Sequence, residues 1–288
     1  MNIEVRPFAS ALGAEVIGAD LAHYQDDAQF ACIEQALLTH GVLAIREQHI
    51  TPEQHIAFSR RFGELDIHVL DQYLLPGHPE ILLISNKQVN GKVIGLQDAG
   101  NEWHTDISYR EQPALGSLLY ALKIPPEGGD TLFASLYAAY DALSDNMKAR
   151  IASLRAVHTY QQYHERSKQK PLGTRSNMTA EQAARVPDVS HPLVRTHPRT
   201  GRKALYVSPG LTVGIEGMEQ AEAQALLAQL NEHATQPAFV YGHQWRLHDV
   251  LFWDNRCTIH LATDYDRSYT RHMHRTTIKG DRPFSRVP

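Results

Sequence analysis

The chain has 288 residues, of which 42% are hydrophobic, and a formal net charge of -4; this is enough apolar material for a sizeable core and excludes a disordered chain. Acids and bases are mixed along the sequence without a basic stripe or a like-charge tail, so a small molecule is expected as partner and nucleic acid is not. Cys32 and Cys257 are too few for a disulfide framework or a Cys-rich zinc site, Glu4 and Arg6 interrupt any secretory segment, and no apolar run is long enough to cross a membrane, so a cytoplasmic protein is expected.

In chain order, Ala14 to Ala19 reads as a strand, and Asp26 to Thr39 as an amphipathic helix stopped by Gly41. Gly41 to Arg46 follows as a buried strand. Thr51-Pro52-Glu53-Gln54 combines an N-cap, a proline at the first helical position and a Gln three residues after the cap, which predicts a helix to about Phe62. Short apolar segments then recur at Ala114 to Leu122, Thr131 to Ala134, Leu193 to Thr196, Ala204 to Ser208, Phe239 to Trp245, Val250 to Trp253 and His272 to Ile278, with one further helix at Met218 to Ala234. The polar, Arg- and Lys-rich stretch 161–192, with Lys168, Lys170, Arg175 and Arg185, reads as a solvated loop or a lid. Short strands punctuated by Gly, Pro and Asn, with no repeat and no linker, predict one mainly β domain over 1–288 with flanking helices, an antiparallel jelly roll rather than a parallel sheet.

Chemistry is concentrated in three places. His104-Thr105-Asp106 and the distant His260 supply two imidazoles and a carboxylate, a facial set that leaves coordination positions open on a metal. On a strand, a spacing of two would put His104 and Asp106 on one face. A chain with 17 histidines contains His-x-Asp by chance, and a zinc hydrolase uses the same ligand types, so the pattern alone does not choose the metal. Arg271-His272-Met273-His274-Arg275 reads as a strand whose alternation turns both arginines away from the two histidines and into one cavity, where they would need anions. Pro125 to Asp130 is a tight turn that delivers the Thr131 hydroxyl to the start of a strand. Tyr109, Tyr206 and Trp253 read as core or pocket-wall aromatics.

Together these residues resemble the family of taurine dioxygenase and 2,4-dichlorophenoxyacetate dioxygenase, over nearly the whole chain. The matching segments are Trp103-His104-Thr105-Asp106, Gly128-Gly129-Asp130-Thr131, His191 through Pro198, Trp253-Asp254-Asn255-Arg256 with His260, and Arg271 through Arg275. The resemblance implies a double-stranded β-helix and an enzyme that uses Fe(II), 2-oxoglutarate and O2 to hydroxylate a small anionic substrate, taurine-like or aryloxyalkanoate-like, with succinate and CO2 as coproducts. It further implies that His104, Asp106 and His260 hold the metal, that Thr131 and Arg271 hold the distal carboxylate of 2-oxoglutarate, and that Arg275 and His68 meet the primary substrate. Family members often form dimers or tetramers. Taurine-type enzymes carry a Tyr three residues after the substrate histidine and an Asn four residues before the first metal histidine; here those positions are Asp71 and Gly100. An amino-acid-derived substrate, which Asp71 would suit, and a redox-silent divalent-metal hydrolase are the alternatives; a non-catalytic sensor would not need the complete ligand set.

Overall fold

Short polar signatures set the helix starts. In the computed structural model, which describes residues 3–169 and 177–286, the Gln54 N–H donates to the Thr51 hydroxyl and the Thr51 N–H to the Gln54 side chain, opening the helix Pro52–Arg60. Asp26 and Gln29 make the same reciprocal pair at the start of Asp27–His40, which ends at Gly41 in the left-handed region (φ 72°). The predicted helix at the chain's second half is Gln220–Ala234.

The structure is mainly β with few helices. One eight-stranded sheet runs in the order Glu4–Pro7, Ala14–Ile17, Val42–Ile45, Val250–Asp254, Ala114–Lys123, His272–Lys279, His78–Ser85, Leu74–Leu75. Its pairings are antiparallel except Ala14–Ile17 with Val42–Ile45, which is parallel and needs the crossover helix Asp27–His40 between its strands. A three-stranded sheet, Val240–His243, Thr131–Ser135, Thr258–Ala262, carries the late part of the predicted site.

Alternation along the strands divides the apolar residues between two layers. Leu119, Leu251, Trp253 and Met273 face inward and meet Phe133 of the smaller sheet, whose ring lies 5.6 Å from that of Trp253. Leu118, Tyr120, Val250 and Phe252 face outward and are covered by Ile33, Leu37, Ile56 and Phe58 of the first two helices. The outer side of the smaller sheet, Ala134 and Ile259, is covered by Leu226, Leu227 and Leu230 of Gln220–Ala234. Buried behind the strand end, Asp254 accepts from Arg256 (2.8 and 2.7 Å) and from His197 (3.0 Å). Three hydrogen bonds from two partners offset the cost of removing this charge from water.

The largest difference from expectation is in the charge-rich stretch. Residues 160–168 form a helix, Tyr160–Lys168, because Tyr160, Tyr163, His164 and Ser167 recur on one buried face, while Lys168 and Glu165 pair at its surface. Ala180–Ala184 is a second short helix with its own capping box from Thr179 and Gln182. Lys170 and Arg175, with the rest of 170–176, lie outside the described residues.

Burial lowers the imidazole pKa to about 3 at His55 and to about 4 at His191 and His274, because desolvation penalises the charged ring. An unfolded histidine protonates near 6.5, so below that pH the unfolded state binds more protons and stability falls as pH drops. At pH 5 an imidazole as deeply buried as His55 costs about 2 kcal/mol. Urea midpoints should therefore decline from near pH 6.5 downward, well above the carboxylate range; a flat midpoint between pH 7.5 and 5 would contradict this.

Candidate active site

The predicted ligands converge. One donor atom each from His104, Asp106 and His260 lies within 4.8 Å of the others, and all three residues are buried. Backbone pairing brings them together: the His104 N–H donates to the His260 carbonyl at 3.0 Å and the His260 N–H to the His104 carbonyl at 2.8 Å, an isolated bridge between the loop and the strand Thr258–Ala262. His104 Nε2 is 3.8 Å from Asp106 Oδ1, and His260 Nε2 is 4.0 Å from Oδ2. The His104 Nδ1 is 2.8 Å from the Glu102 carbonyl, a contact only a protonated nitrogen favours, which leaves the Nε2 lone pair for a metal.

His104 and Asp106 do not share a strand, contrary to the spacing argument. His104 occupies a single bridge and Asp106 starts a turn over 106–109, in which the β-branched Ile107 has φ 45°, a strained value for such a residue. The turn holds because its polar groups are taken up. The Thr105 hydroxyl donates to the Asn255 carbonyl (2.8 Å), the Asp106 N–H to the Asn255 side-chain oxygen (3.1 Å) and the Ser117 hydroxyl to Asp106 Oδ2 (2.7 Å). His191, from the family-like stretch, braces the far end of the turn through the Ser108 and Arg110 carbonyls, both 2.9 Å from its Nε2.

Charge is balanced here to suit a cation. Burial would raise the Asp106 carboxyl, but the Arg275 guanidinium, the two imidazoles and the Ser117 hydroxyl outweigh it and hold the group below the ordinary carboxylate range. Burial lowers both imidazoles, His260 further through its neighbour His104. The donor set is thus two neutral nitrogens and one anionic oxygen, which fits a first-row divalent ion with coordination positions left open.

The two arginines separate, another departure from expectation. Arg275 lines the cavity over the cluster and donates to Asp106 Oδ1 at 2.7 Å. Arg271 does not line that cavity; it lies beside Gly129 and faces the Trp245 ring at 6.0 Å. Gly128 and Gly129, with φ 72° and 70°, give the turn its close approach; a Cβ on Gly129 would come within 3.4 Å of Arg271 Nε. Thr131 pairs with His243 in the smaller sheet, and its hydroxyl accepts from Trp245 Nε1 at 3.0 Å. Arg271 is buried, its Nε has no partner, and desolvation pushes it down to about 10. A guanidinium in that condition suits an arriving anion.

The cavity over the cluster is open to solvent. His68 and Arg275 are among its lining residues, with Tyr109, Tyr160, Leu96 and Leu211. His68 Nδ1 accepts from the Leu70 N–H at 3.1 Å, so a neutral ring carries its proton on Nε2. Tyr206 lies elsewhere, under Arg195, and Trp253 is core. Asp71 is not in the cavity: its Oδ1 accepts from Gln182 at 3.2 Å. Gly100 is part of the wall. Trp245, Ser117 and Tyr160 were not marked by the sequence, since each reaches the site through a contact distant in the chain.

A family model, taurine catabolism dioxygenase TauD, TfdA family, matches residues 4–277. The alpha-ketoglutarate-dependent 2,4-dichlorophenoxyacetate dioxygenase of Cupriavidus pinatubonensis is 36% identical over 98% of this chain and 99% of its own length. The alpha-ketoglutarate-dependent sulfate ester dioxygenase of Pseudomonas putida is 29% identical over 98% of this chain and 91% of its own. Among solved structures, AAD-2 in complex with Mn(II) and N-oxalylglycine has a TM-score of 0.85 at 36% identity, covering 100% of both chains. A taurine dioxygenase from Burkholderia xenovorans has a TM-score of 0.82 at 38% identity, covering 99% of this chain and 92% of its own.

Because an unpaired buried charge is costly, Arg271→Met should stabilise the ligand-free protein by about 1–3 kcal/mol and abolish the rise in thermal midpoint that 2-oxoglutarate gives the parent. A variant less stable than the parent, or one still stabilised by 2-oxoglutarate, would show that Arg271 is not waiting for that anion.

Proposed function

The chain belongs to the TauD/TfdA family of Fe(II)- and 2-oxoglutarate-dependent dioxygenases, and from that premise we propose that it hydroxylates a small organic anion at the cavity beside His104, Asp106 and His260. These three side chains would hold the ferrous ion. Thr131 and Arg271 would hold the distal carboxylate of 2-oxoglutarate, and Arg275 and His68 the anionic group of the primary substrate. The observation that carries the reading is the pairing of a compact His, Asp, His set with a buried, unpaired arginine. A redox-silent hydrolase would have no use for Arg271.

When bound, the metal and cosubstrate supply the oxidising chemistry, coupling O2 and decarboxylation of 2-oxoglutarate to succinate and CO2 with insertion of oxygen into a C–H bond. The protein's part is orientation and charge. Arg275 and the Nε2–H of His68 would supply donors for the substrate anion within the cavity, fixing how the rest of the molecule lies beside the ligand cluster. Leu96, Leu211, Tyr109 and Tyr160 exclude water and offer apolar surface. Buried imidazoles stay neutral and Asp106 ionised, so the ligand set needs no deprotonation near neutral pH.

The substrate class includes aryloxyalkanoates, alkylsulfonates and sulfate esters, the compounds named for the relatives. Aromatic walls favour the aryl end of that range, and the engagement of Asp71 by Gln182 weakens the case for an amino-acid ammonium. We take the two sheets that sandwich Phe133 and Trp253 as a double-stranded β-helix in a single domain, with the region around 161–192 as its lid; Tyr160 and Tyr163 on the cavity wall support that role. The unpaired cysteines suit the reducing cytoplasm.

Anaerobic addition of Fe(II) and 2-oxoglutarate should give a visible charge-transfer band that is lost in His104→Ala and Asp106→Ala; a band of full intensity in either variant would refute the ligand assignment. In a panel of aryloxyalkanoates, sulfonates, sulfate esters and amino-acid derivatives, scored by substrate-stimulated succinate, the anionic aryl compounds should lead. Arg275→Ala should lower kcat/KM for the best of them about 10- to 100-fold, the loss expected for a charge-assisted contact.

A further inference from the structure

Two polar side chains that brace the Asp106 turn also converge on its carboxylate. We propose that Ser117 and Asn255 are positioning residues that hold Asp106 as a one-oxygen metal ligand. The inference rests on the assignment of Asp106 to the metal and goes beyond it.

Ser117 sits in the middle of the eight-stranded sheet, paired with Trp253 on one side and Thr277 on the other, and it is fully buried. Asn255 occupies the connection between the strands Val250–Asp254 and Thr258–Ala262. Its side-chain oxygen lies 3.1 Å from each of three donors, the Asp106 N–H, the Trp253 Nε1–H and the Thr105 hydroxyl. The first two of these can only donate, which settles the orientation of the amide. Asn255 Nδ2 must then point the other way, toward Ser117 Oγ at 3.3 Å and Asp106 Oδ2 at 3.5 Å. With its oxygen accepting from Asn255, the Ser117 hydroxyl turns its own proton to Asp106 Oδ2 at 2.7 Å rather than to Thr277 at 3.4 Å.

The neutral donors Asn255 and Ser117 thus both occupy one carboxylate oxygen, Asp106 Oδ2. Oδ1 accepts only from Arg275, at 2.7 Å, and keeps a second lone pair on the side of His104 Nε2, 3.8 Å away. A carboxylate free to swing could give both oxygens to the metal and take a position that the cosubstrate or oxygen needs. Two neutral donors on Oδ2 fill its lone pairs and add no further positive charge to that already brought by Arg275 on Oδ1. Asn255 also joins the two halves of the ligand set: its amide grips the turn carrying Asp106, while its backbone leads into the strand carrying His260.

The test is Mn(II) affinity, measured by equilibrium dialysis on the full chain, for the parent, His104→Ala, Ser117→Ala, Ser117→Thr and Asn255→Ala, with thermal midpoints as a check on folding. Ser117→Ala and Asn255→Ala should bind about 10- to 100-fold more weakly, Ser117→Thr should stay within about threefold of the parent, and the anaerobic Fe(II)/2-oxoglutarate band should shift in Ser117→Ala. A folded Ser117→Ala with parental affinity and an unshifted band overturns the proposal, as does a folded Ser117→Thr that is as weak as Ser117→Ala. Equal binding by the parent and His104→Ala would instead refute the metal assignment itself, so the two failures are told apart. If Asn255→Ala does not fold, the two Ser117 variants decide.

Discussion

Keeping one carboxylate ionised in a buried pocket is the constraint that the rest of the structure serves. Asp106 is 3% exposed, and an unassisted carboxylate there would take up a proton and cease to attract a cation. Arg275 on one oxygen and Ser117 on the other reverse that tendency. Both come from adjacent central strands of the large sheet, whose own position is set by packing on each face. The charge at the site is therefore only as stable as the sandwich around it.

Period-two alternation provides that support. The inward row Leu119, Leu251, Trp253 and Met273 meets the smaller sheet, and the outward row is sealed by helices. Within the inner row a few positions are polar: Ser117 and Arg275 stand where further apolar residues would continue the core. Such substitutions cost stability unless every polar atom finds a partner. The site accordingly has a dense hydrogen-bond pattern around Asp106 and an unfinished one elsewhere, where Arg271 Nε, Arg275 Nε, the Tyr109 hydroxyl and His260 Nδ1 have no partner.

That asymmetry separates the two arginines in function as well as in place. Arg275 has an acidic partner within the protein, whereas Arg271 has a glycine turn and an indole face beside it. Arg275 gives one Nη to Asp106 and keeps its Nε unpaired, so it can hold the metal ligand and still meet a substrate anion, whereas Arg271 has only an arriving anion to pair with. Strand alternation treats the two residues alike, being four apart, but the strand proper begins at His272, and the loop before it carries Arg271 away toward the smaller sheet.

Local signals accounted for much of this protein. The capping pairs at Asp26 and Thr51 act between residues three apart, and the strand periodicity acts between neighbours, so both are visible in the sequence itself. The ligand types, the Thr131 turn and the two arginines were legible for the same reason. Tertiary structure alone decided that Asp106 lies on a strained turn rather than a strand, that Arg275 pairs with it, and that the charged segment after Thr159 folds as a helix with a buried aromatic face. Each of those outcomes depends on a partner far away in the chain, Asn255 for the turn and Asp106 for Arg275, and no spacing within a segment records which distant group will fill a buried hydrogen bond.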